Sequence, residues 1–336
     1  PTRRSSDLEL LKYIYATHHR LFPILSHILI FLGHITNTLL VYMLAVKLRF
    51  DRISTSIATT FFYLSPCILA TLWACDSVNQ IYSQLWGLLA IWCYLSLKGN
   101  TKYVVWIALV FLATLTKENG LTWAIIAPIF AYGTGFLNRK QLLKDIGVGC
   151  SFIILYLIIR FSIPIIGSYD TEYTNFVFSK KLRQLAMFIG MTWLAVDYVC
   201  LLHEPSRNLP IAIMTLLLSL PFIVMLFHNI SIWKHKTFLA LVASSVIVVA
   251  PNLLTNLSAM NCYASLGMSA LLVGFCIRWC RPKIILLTFT AYIIVALFID
   301  IHLWYTSWQT SLTGREMARQ AIIKTKHPVY KIYTIT

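Results

Sequence analysis

Charge is scarce in this 336-residue chain: Asp, Glu, Lys and Arg make up only 12% of it, about half the share of a soluble domain. Acidic residues are the scarcest, 12 against 28 Lys and Arg, for a formal net charge of +16. There is no C-x-x-C pair among the eight cysteines, no glycine-rich phosphate loop, no G-x-S-x-G and no H-E-x-x-H. These absences remove the motif-borne forms of phosphate-loop, serine-hydrolase and zinc-protease chemistry. Most cysteines (Cys67, Cys93, Cys150, Cys200, Cys276) sit in apolar segments, where thiols pack. Cys276 and Cys280 are one helical turn apart, with no His or acid beside them to complete a metal site.

What the chain has is apolar surface. Hydrophobic residues make up 58% of it, and the mean hydropathy is +0.73. These values exclude a disordered chain, a collagen-like chain and an ordinary soluble domain. Apolar runs long enough to cross a bilayer recur throughout, which predicts an all-α, polytopic transmembrane helical bundle of about ten membrane segments. In a soluble protein the basic balance would suggest nucleic acid. Here Lys and Arg gather in short loops beside apolar spans, as the positive-inside rule expects, so no nucleic-acid partner is expected.

The opening Pro1-Thr2-Arg3-Arg4-Ser5-Ser6-Asp7-Leu8 differs in character from the rest of the chain and reads as a non-native leader (residues 1–8). Spans are expected at 21–46, 53–74 with a kink at Pro66, and 78–97. Residues 103–132 are too long for one span, and Thr116-Lys117-Glu118-Asn119-Gly120 breaks them into two shorter helices meeting at an outward polar turn. Residues 146–166 cross outward, and the loop 167–181 carries Asp170 and Glu172 outside. Residues 182–202 are expected to dip into the membrane or lie along its outer interface without a net crossing. Only then do Lys234-His235-Lys236 and Arg278 to Lys283 both fall inside; Asp197, His203, Glu204 and Pro205 supply a polar exit. Further spans are expected at 209–233, 237–254, 262–278 and 284–304, then a polar tail (307–336) that forms a short amphipathic helix or a linker.

Polar side chains inside spans are costly, so each asks for a partner or a role. His27, His34 and Asn37 share one helix face: His34 lies about 20° from His27, and Asn37 about 60° further round. They form either an interhelical hydrogen-bonded face or a catalytic one. A single metal ion cannot bridge the two histidines, which are about 10 Å apart along the axis. Lys117 and Glu118 flank a turn suited to Asn119-Gly120. Lys117 is a candidate for a lipid phosphate, and Glu118 for a sugar hydroxyl or a divalent metal; the alternative is an exposed ion pair worth little. Arg160 either snorkels to the interface or offers its planar fork to a phosphate. Asp76, Asp170 and Glu172 are candidate bases or ligands, or simply solvated loop acids. Asp300 and His302 are placed for a mutual hydrogen bond.

The spacing of His27, His34, Asn37 and Tyr42 (H-x6-H-x2-N-x4-Y) resembles a segment of multipass GT-C-type glycosyltransferases. The likeness is to the transmembrane O-mannosyltransferase-like proteins that often carry tetratricopeptide repeats, and to their bacterial homologues. Leu115 to Thr122 is similar to that family's L-S-K-E-x-[AG]-[LI]-T turn, Tyr156 to Arg160 to its Y-L-x-L-R segment, and Tyr263-Ala264-Ser265-Leu266-Gly267 to the tail of its R-Y-x-Y-x-P-S-x-G motif. The chain departs from the family at Ile30 (for Asn), Ser65-Pro66 (for His-Pro), Ala70 (near a Glu), and Asn261 and Cys262 (where Arg would stand).

The resemblance implies a GT-C-like transmembrane domain over residues 9–306. It implies an inverting transfer of a sugar from a polyprenyl-phosphate donor to a protein or glycan hydroxyl, on the periplasmic side of a bacterial inner membrane. Lys117 and Arg160 would hold the departing phosphate, and membrane lipid would surround the domain. The family's catalytic Asp would fall in an outward loop before residue 20, where only Asp7 and Glu9 stand, so this stretch of chain is expected to lack the first span, the first outward loop and the base, and to be inactive. No cofactor is fixed by the sequence, and a divalent metal is left open. The alternative reading is a transporter or flippase of lipid-linked glycans.

Overall fold

The computed structural model describes residues 21–65, 68, 71–72, 74, 77–162, 178–193, 205–228, 230–254, 259–278 and 282–325. Among them there is no strand. The helices run in the order α1 Leu21–Lys47, α2 Arg52–Tyr63, α3 Val78–Ser96, α4 Gly99–Thr116, a 3-10 turn Glu118–Thr122, α5 Trp123–Gly133, α6 Arg139–Ser162, α7 Phe178–Trp193, α8 Pro205–His228, the single turn α9 Ile230–Trp233, α10 Lys236–Leu254, α11 Ala259–Ile277 and α12 Pro282–Thr325.

Six of these are long and apolar enough to cross a membrane: Ile24–Lys47, Gly99–Thr116, Arg139–Ser162, Lys236–Leu253, Met260–Ile277 and Leu286–Met317. α3 has the length, with 19 residues, but Asn79, Gln80, Ser83 and Gln84 lower its hydropathy. Its polar side is covered by protein, since Gln80, Ser83 and Gln84 are all buried.

Polarity in the bundle is inverted relative to a soluble protein. Ser26, His34, Asn37, Ser54, Gln84, Ser244, Ser265 and Ser269 are buried. Meanwhile Ile24, Ile28, Leu32, Ile35 and Leu39 form an exposed stripe along α1, each 47–59% exposed. Such a surface fits hydrocarbon rather than water. α11 is the central helix: 94% of Met260–Ile277 is buried, against 11% of the apolar stretch of α6. It packs on α2, α3 and α10, while α1 and α4 flank α3. α3 approaches the turn closely because Gly87 has no side chain. A Cβ there would lie 2.0 Å from the indole of Trp123, itself 1% exposed.

The basic loops meet at one end of the bundle. Lys47 Nζ donates to Ser96 Oγ (3.3 Å) and Lys102 Nζ to Asp145 (2.9 Å). Lys236 lies over the Tyr132 ring, and Arg278 donates to the Arg49 carbonyl. Gly133 also sits beside Lys236 at this end. From there α5 climbs ten residues to Trp123, a rise of about 15 Å, and the 3-10 turn adds about 10 Å. The 18 residues of α4 rise about 27 Å from the same end. Both routes put Lys117 about 25 Å from the basic end.

Two segments differ from the sequence-based expectation. α2 stops at Tyr63, three residues before Pro66; Leu64 leaves helical geometry at φ −109° and ψ 14°. The anticipated kink is thus a helix end. α12 does not stop near Trp304 but runs 44 residues to Thr325. No Pro lies beyond Pro282 in it, and a polar composition alone does not break a helix. The anticipated span 209–233 falls on α8 and α9, with residue 229 outside the described residues. The segment expected at 182–202 is helical to Trp193, where α7 packs on α10 and α11; residues 194–202 lie outside the described residues.

Candidate functional site

A buried polar seam runs between α1, α3 and α11 and reaches the 3-10 turn. Its lower part is a relay. Asn37 Nδ2 donates to the Tyr263 hydroxyl (3.0 Å), which contacts His34 Nδ1 (3.0 Å). His34 Nε2 contacts the Tyr63 carbonyl (3.3 Å). A carbonyl only accepts, so Nε2 carries the proton and Nδ1 accepts from Tyr263. With a neutral imidazole every step then has one donor and one acceptor. Asn37 Nδ2 also donates to the Ile81 carbonyl (3.0 Å), fixing α1 to α3. His34 is further held between rings, with Phe62 and Tyr63 stacked at 5.3 and 5.5 Å.

The upper part gathers amides around a lysine. Asn261 Oδ1 accepts from Gln80 Nε2 (2.9 Å) and from Lys117 Nζ (3.2 Å). Ser83 Oγ donates to Asn119 Oδ1 (3.3 Å). Gln84, in the amide orientation that satisfies it, donates to the Ala264 carbonyl and accepts from Gly267 N–H. Gly267 leaves room for that amide, since a Cβ there would fall 2.5 Å from it. Two acceptors in the seam, Asn37 Oδ1 and Gln80 Oε1, are buried with no protein partner. Each has a lone pair available to a hydroxyl or a water.

The turn carrying Lys117 is built by its own sequence. Lys117 takes an extended conformation, φ −159° and ψ 143°, and ends α4. Gly120 then donates its N–H to the Lys117 carbonyl (2.8 Å) and tucks against the Ala113–Thr114 backbone. Lys117 is half-buried and points into the seam, while Glu118 is exposed. Lys117 and Glu118 do not pair with each other, because the lysine is turned toward Asn261.

The candidate residues fall into three groups. His34, Asn37 and Lys117 meet in the seam. His27 shares their helix face but is only half-buried, lining an open apolar depression with Ile24, Ile28, Phe31 and Leu32; α3 begins to cover α1 only near Gly33. Arg160 lies on α6, fifteen residues or about 22 Å beyond Asp145, at nearly the depth of Lys117. It is partly exposed beside lipid-facing Ile158, Ile159 and Phe161, and among the described residues no ion pair joins it to Glu118. Asp76, Asp170 and Glu172 lie outside the described residues, as do Asp7, Glu9, Asp197, His203 and Glu204. Among the described residues no group of three or more His, Cys, Asp or Glu side chains could hold a metal ion.

Asp300 and His302 do not bond: Asp300 Oδ1 is buried without a partner, because residues two apart on a helix point to opposite sides. The seam also contains residues that sequence reasoning does not single out, namely Gln80, Ser83 and Gln84. Their spacing of i, i+3 and i+4 in an apolar segment is a readable signal of a polar face turned inward.

Replacing Tyr263 with Phe removes one oxygen and leaves His34 Nδ1 and one Asn37 N–H without a partner. The expected cost is about 1–3 kcal/mol, read as a lower denaturation midpoint in detergent. An unchanged midpoint would show that water takes the place of the hydroxyl.

In three comparisons with known proteins, no family model, no curated protein and no solved structure matches this chain.

Proposed function

We propose that the chain is the membrane domain of a glycosyltransferase that takes a sugar from a polyprenyl-phosphate donor and passes it, with inversion, to an acceptor hydroxyl. In this reading it has about ten spans and lies in a bacterial inner membrane, with the Lys117 end facing the periplasm. One observation supports this reading. Three segments that resemble the GT-C family, around His34–Asn37, Lys117 and Tyr263–Gly267, are far apart in sequence but border one seam, with Lys117 joined to Asn261, a departure from the family two residues before Tyr263. The seam ends at a lysine about 25 Å from the basic face, the depth at which a lipid phosphate would present itself.

The Lys117 ammonium takes the charge of the departing phosphate; Arg160 stands at similar depth on α6 but outside the seam, and reaches the same group only if the donor extends to that face. Glu118 is exposed and available to a sugar hydroxyl or a divalent metal. Asn37 Oδ1 and Gln80 Oε1 accept from hydroxyls or water within the seam.

The test is binding of a radiolabelled polyprenyl-phosphate hexose to the purified chain in nanodiscs. Lys117→Met is expected to weaken binding about tenfold, one charge-assisted contact, and Arg160→Gln to weaken it as well. Equal affinity for the unphosphorylated polyprenol, or unchanged binding in both variants, would defeat the proposal. Movement of intact donor across a vesicle bilayer without transfer would replace it with a transporter.

A further inference from the structure

At the basic end, opposite the seam's mouth, four element ends surround a cavity of about 410 Å³, within the range of small-ligand sites. Phe50 and Phe275 are its buried apolar floor. Thr134, His235, Thr237 and Arg278 supply the polar wall. None of this belongs to the seam.

The groups left over in this cavity are donors. Three helix carbonyls near the rim are occupied: Leu44 O accepts from Leu48 N–H, Ala45 O from Phe50 N–H and Phe130 O from Thr134 N–H, at 2.9, 3.1 and 3.0 Å, and the Thr134 hydroxyl also donates to Phe130 O (2.7 Å). The Thr237 hydroxyl donates to Gly133 O at 2.9 Å. Thr237 N–H donates to His235 Nδ1 (3.3 Å), so in the neutral ring the proton lies on Nε2, free to be given to a ligand. The Arg278 guanidinium lies 5.0 Å from the Phe50 ring and spends one donor on the Arg49 carbonyl, keeping the rest of its fork. That carbonyl is aimed by an unusual backbone: Arg49 is the one non-glycine residue among those described with positive φ, at 56°. It is the left-handed residue that caps α1, closed by the Phe50 N–H to Ala45 O bond. In the chain, Lys47, Arg49, Arg52, Lys234 and Lys236 stand within a few residues of the lining positions, with Asp51 next to Phe50.

We propose that this cavity binds a phosphate ester, with the phosphate on Arg278 and His235 and the adjoining carbon chain on Phe50 and Phe275. Its position at the end of an apolar bundle suits the headgroup of an anionic phospholipid, and a soluble phosphate ester has the same chemistry. It does not depend on the glycosyltransferase reading.

The experiment uses the whole chain in phosphatidylcholine nanodiscs with and without phosphatidylglycerol, and native mass spectrometry to count retained lipid. Arg278→Gln and His235→Ala are expected each to weaken retention of phosphatidylglycerol about tenfold, the loss of one charge-assisted contact. Lys140→Gln, an exposed cation on α6 outside the cavity, is expected to change it less than about twofold, as screened surface charges do. Should Arg278→Gln unfold, His235→Ala decides, because that ring is exposed. Added glycerol 3-phosphate separates the two sources: displacement of the lipid assigns a soluble ester, and no displacement assigns the lipid. Equal loss in Lys140→Gln and His235→Ala would reduce the effect to diffuse charge and overturn the proposal, as would unchanged retention in His235→Ala and a folded Arg278→Gln.

Discussion

Gly120→Ala is expected to unseat the turn that carries Lys117. The added methyl would lie 2.2 Å from the Ala113 carbonyl carbon, 2.3 Å from its oxygen and 2.5 Å from Thr114 N. All three are helix backbone, which cannot swing aside as a side chain can. The turn must therefore lift off α4 by about an ångström or more, taking Lys117 from Asn261 and Asn119 from Ser83. The cost belongs at the top of the overpacking range, about 3 kcal/mol or more. Gly147→Ala is the matched control: it lies within α6 with nothing within 4 Å of the added atom, and is expected to be neutral or to gain up to about 1 kcal/mol of helix propensity. Denaturation in detergent reads both. Equal midpoints would show that the turn is loosely seated and the seam has no fixed upper end.

The second large effect lies at Asp145, which no motif marks. Its carboxylate is wholly buried and Lys102 is 11% exposed. Oδ2 accepts from Lys102 Nζ (2.9 Å) and the Tyr94 hydroxyl, and Oδ1 from Tyr103 (2.8 Å) and Gln141 (2.9 Å). Lys102 also lies over the Tyr94 and Tyr103 rings at 4.3 and 4.5 Å. One carboxylate thus ties the end of α3 and the start of α4 to α6. Asp145→Ala leaves a cation and two hydroxyls without their acceptor and is expected to cost about 3–5 kcal/mol. Pairing it with Lys102→Met is expected to recover much of that loss, because the stranded charge, more than the missing bond, carries the penalty. Denaturation of the four proteins of the cycle gives the coupling directly. Simple additivity would mean that water reaches Lys102 and the network is solvated.

Element positions are largely legible in the sequence because they depend on local pattern. The C-terminal end of α1 and both ends of α3 fall within a residue or two of the apolar runs, and Lys117-Glu118-Asn119-Gly120 announces a break where the 3-10 turn lies. Pro66 suggests a kink, yet α2 ends at Tyr63; a proline restrains the residues before it without saying how far back the helix yields. The site is legible only in halves. The helical period correctly puts His27, His34 and Asn37 on one face, but it says nothing of where a neighbouring helix begins, and His27 lies above the start of α3. The contacts that define the seam join residues 181 and 229 apart in sequence. They depend on the rotation and vertical register of whole helices, which no local spacing encodes. Lys117 is marked by its turn, whereas its partner Asn261 stands out only as a departure from a familiar motif.

The inward amide face of α3 has a consequence for biosynthesis. Gln80 and Gln84 find their partners on α11, so while α3 is being inserted those partners have not been made. At about 5–20 residues per second, the 181 residues separating Gln80 from Asn261 take roughly 10–35 s to appear. During that interval the amides of α3 are bare, and an α3 that enters the bilayer needs shelter beside the translocation channel or a membrane chaperone until the ribosome delivers α11.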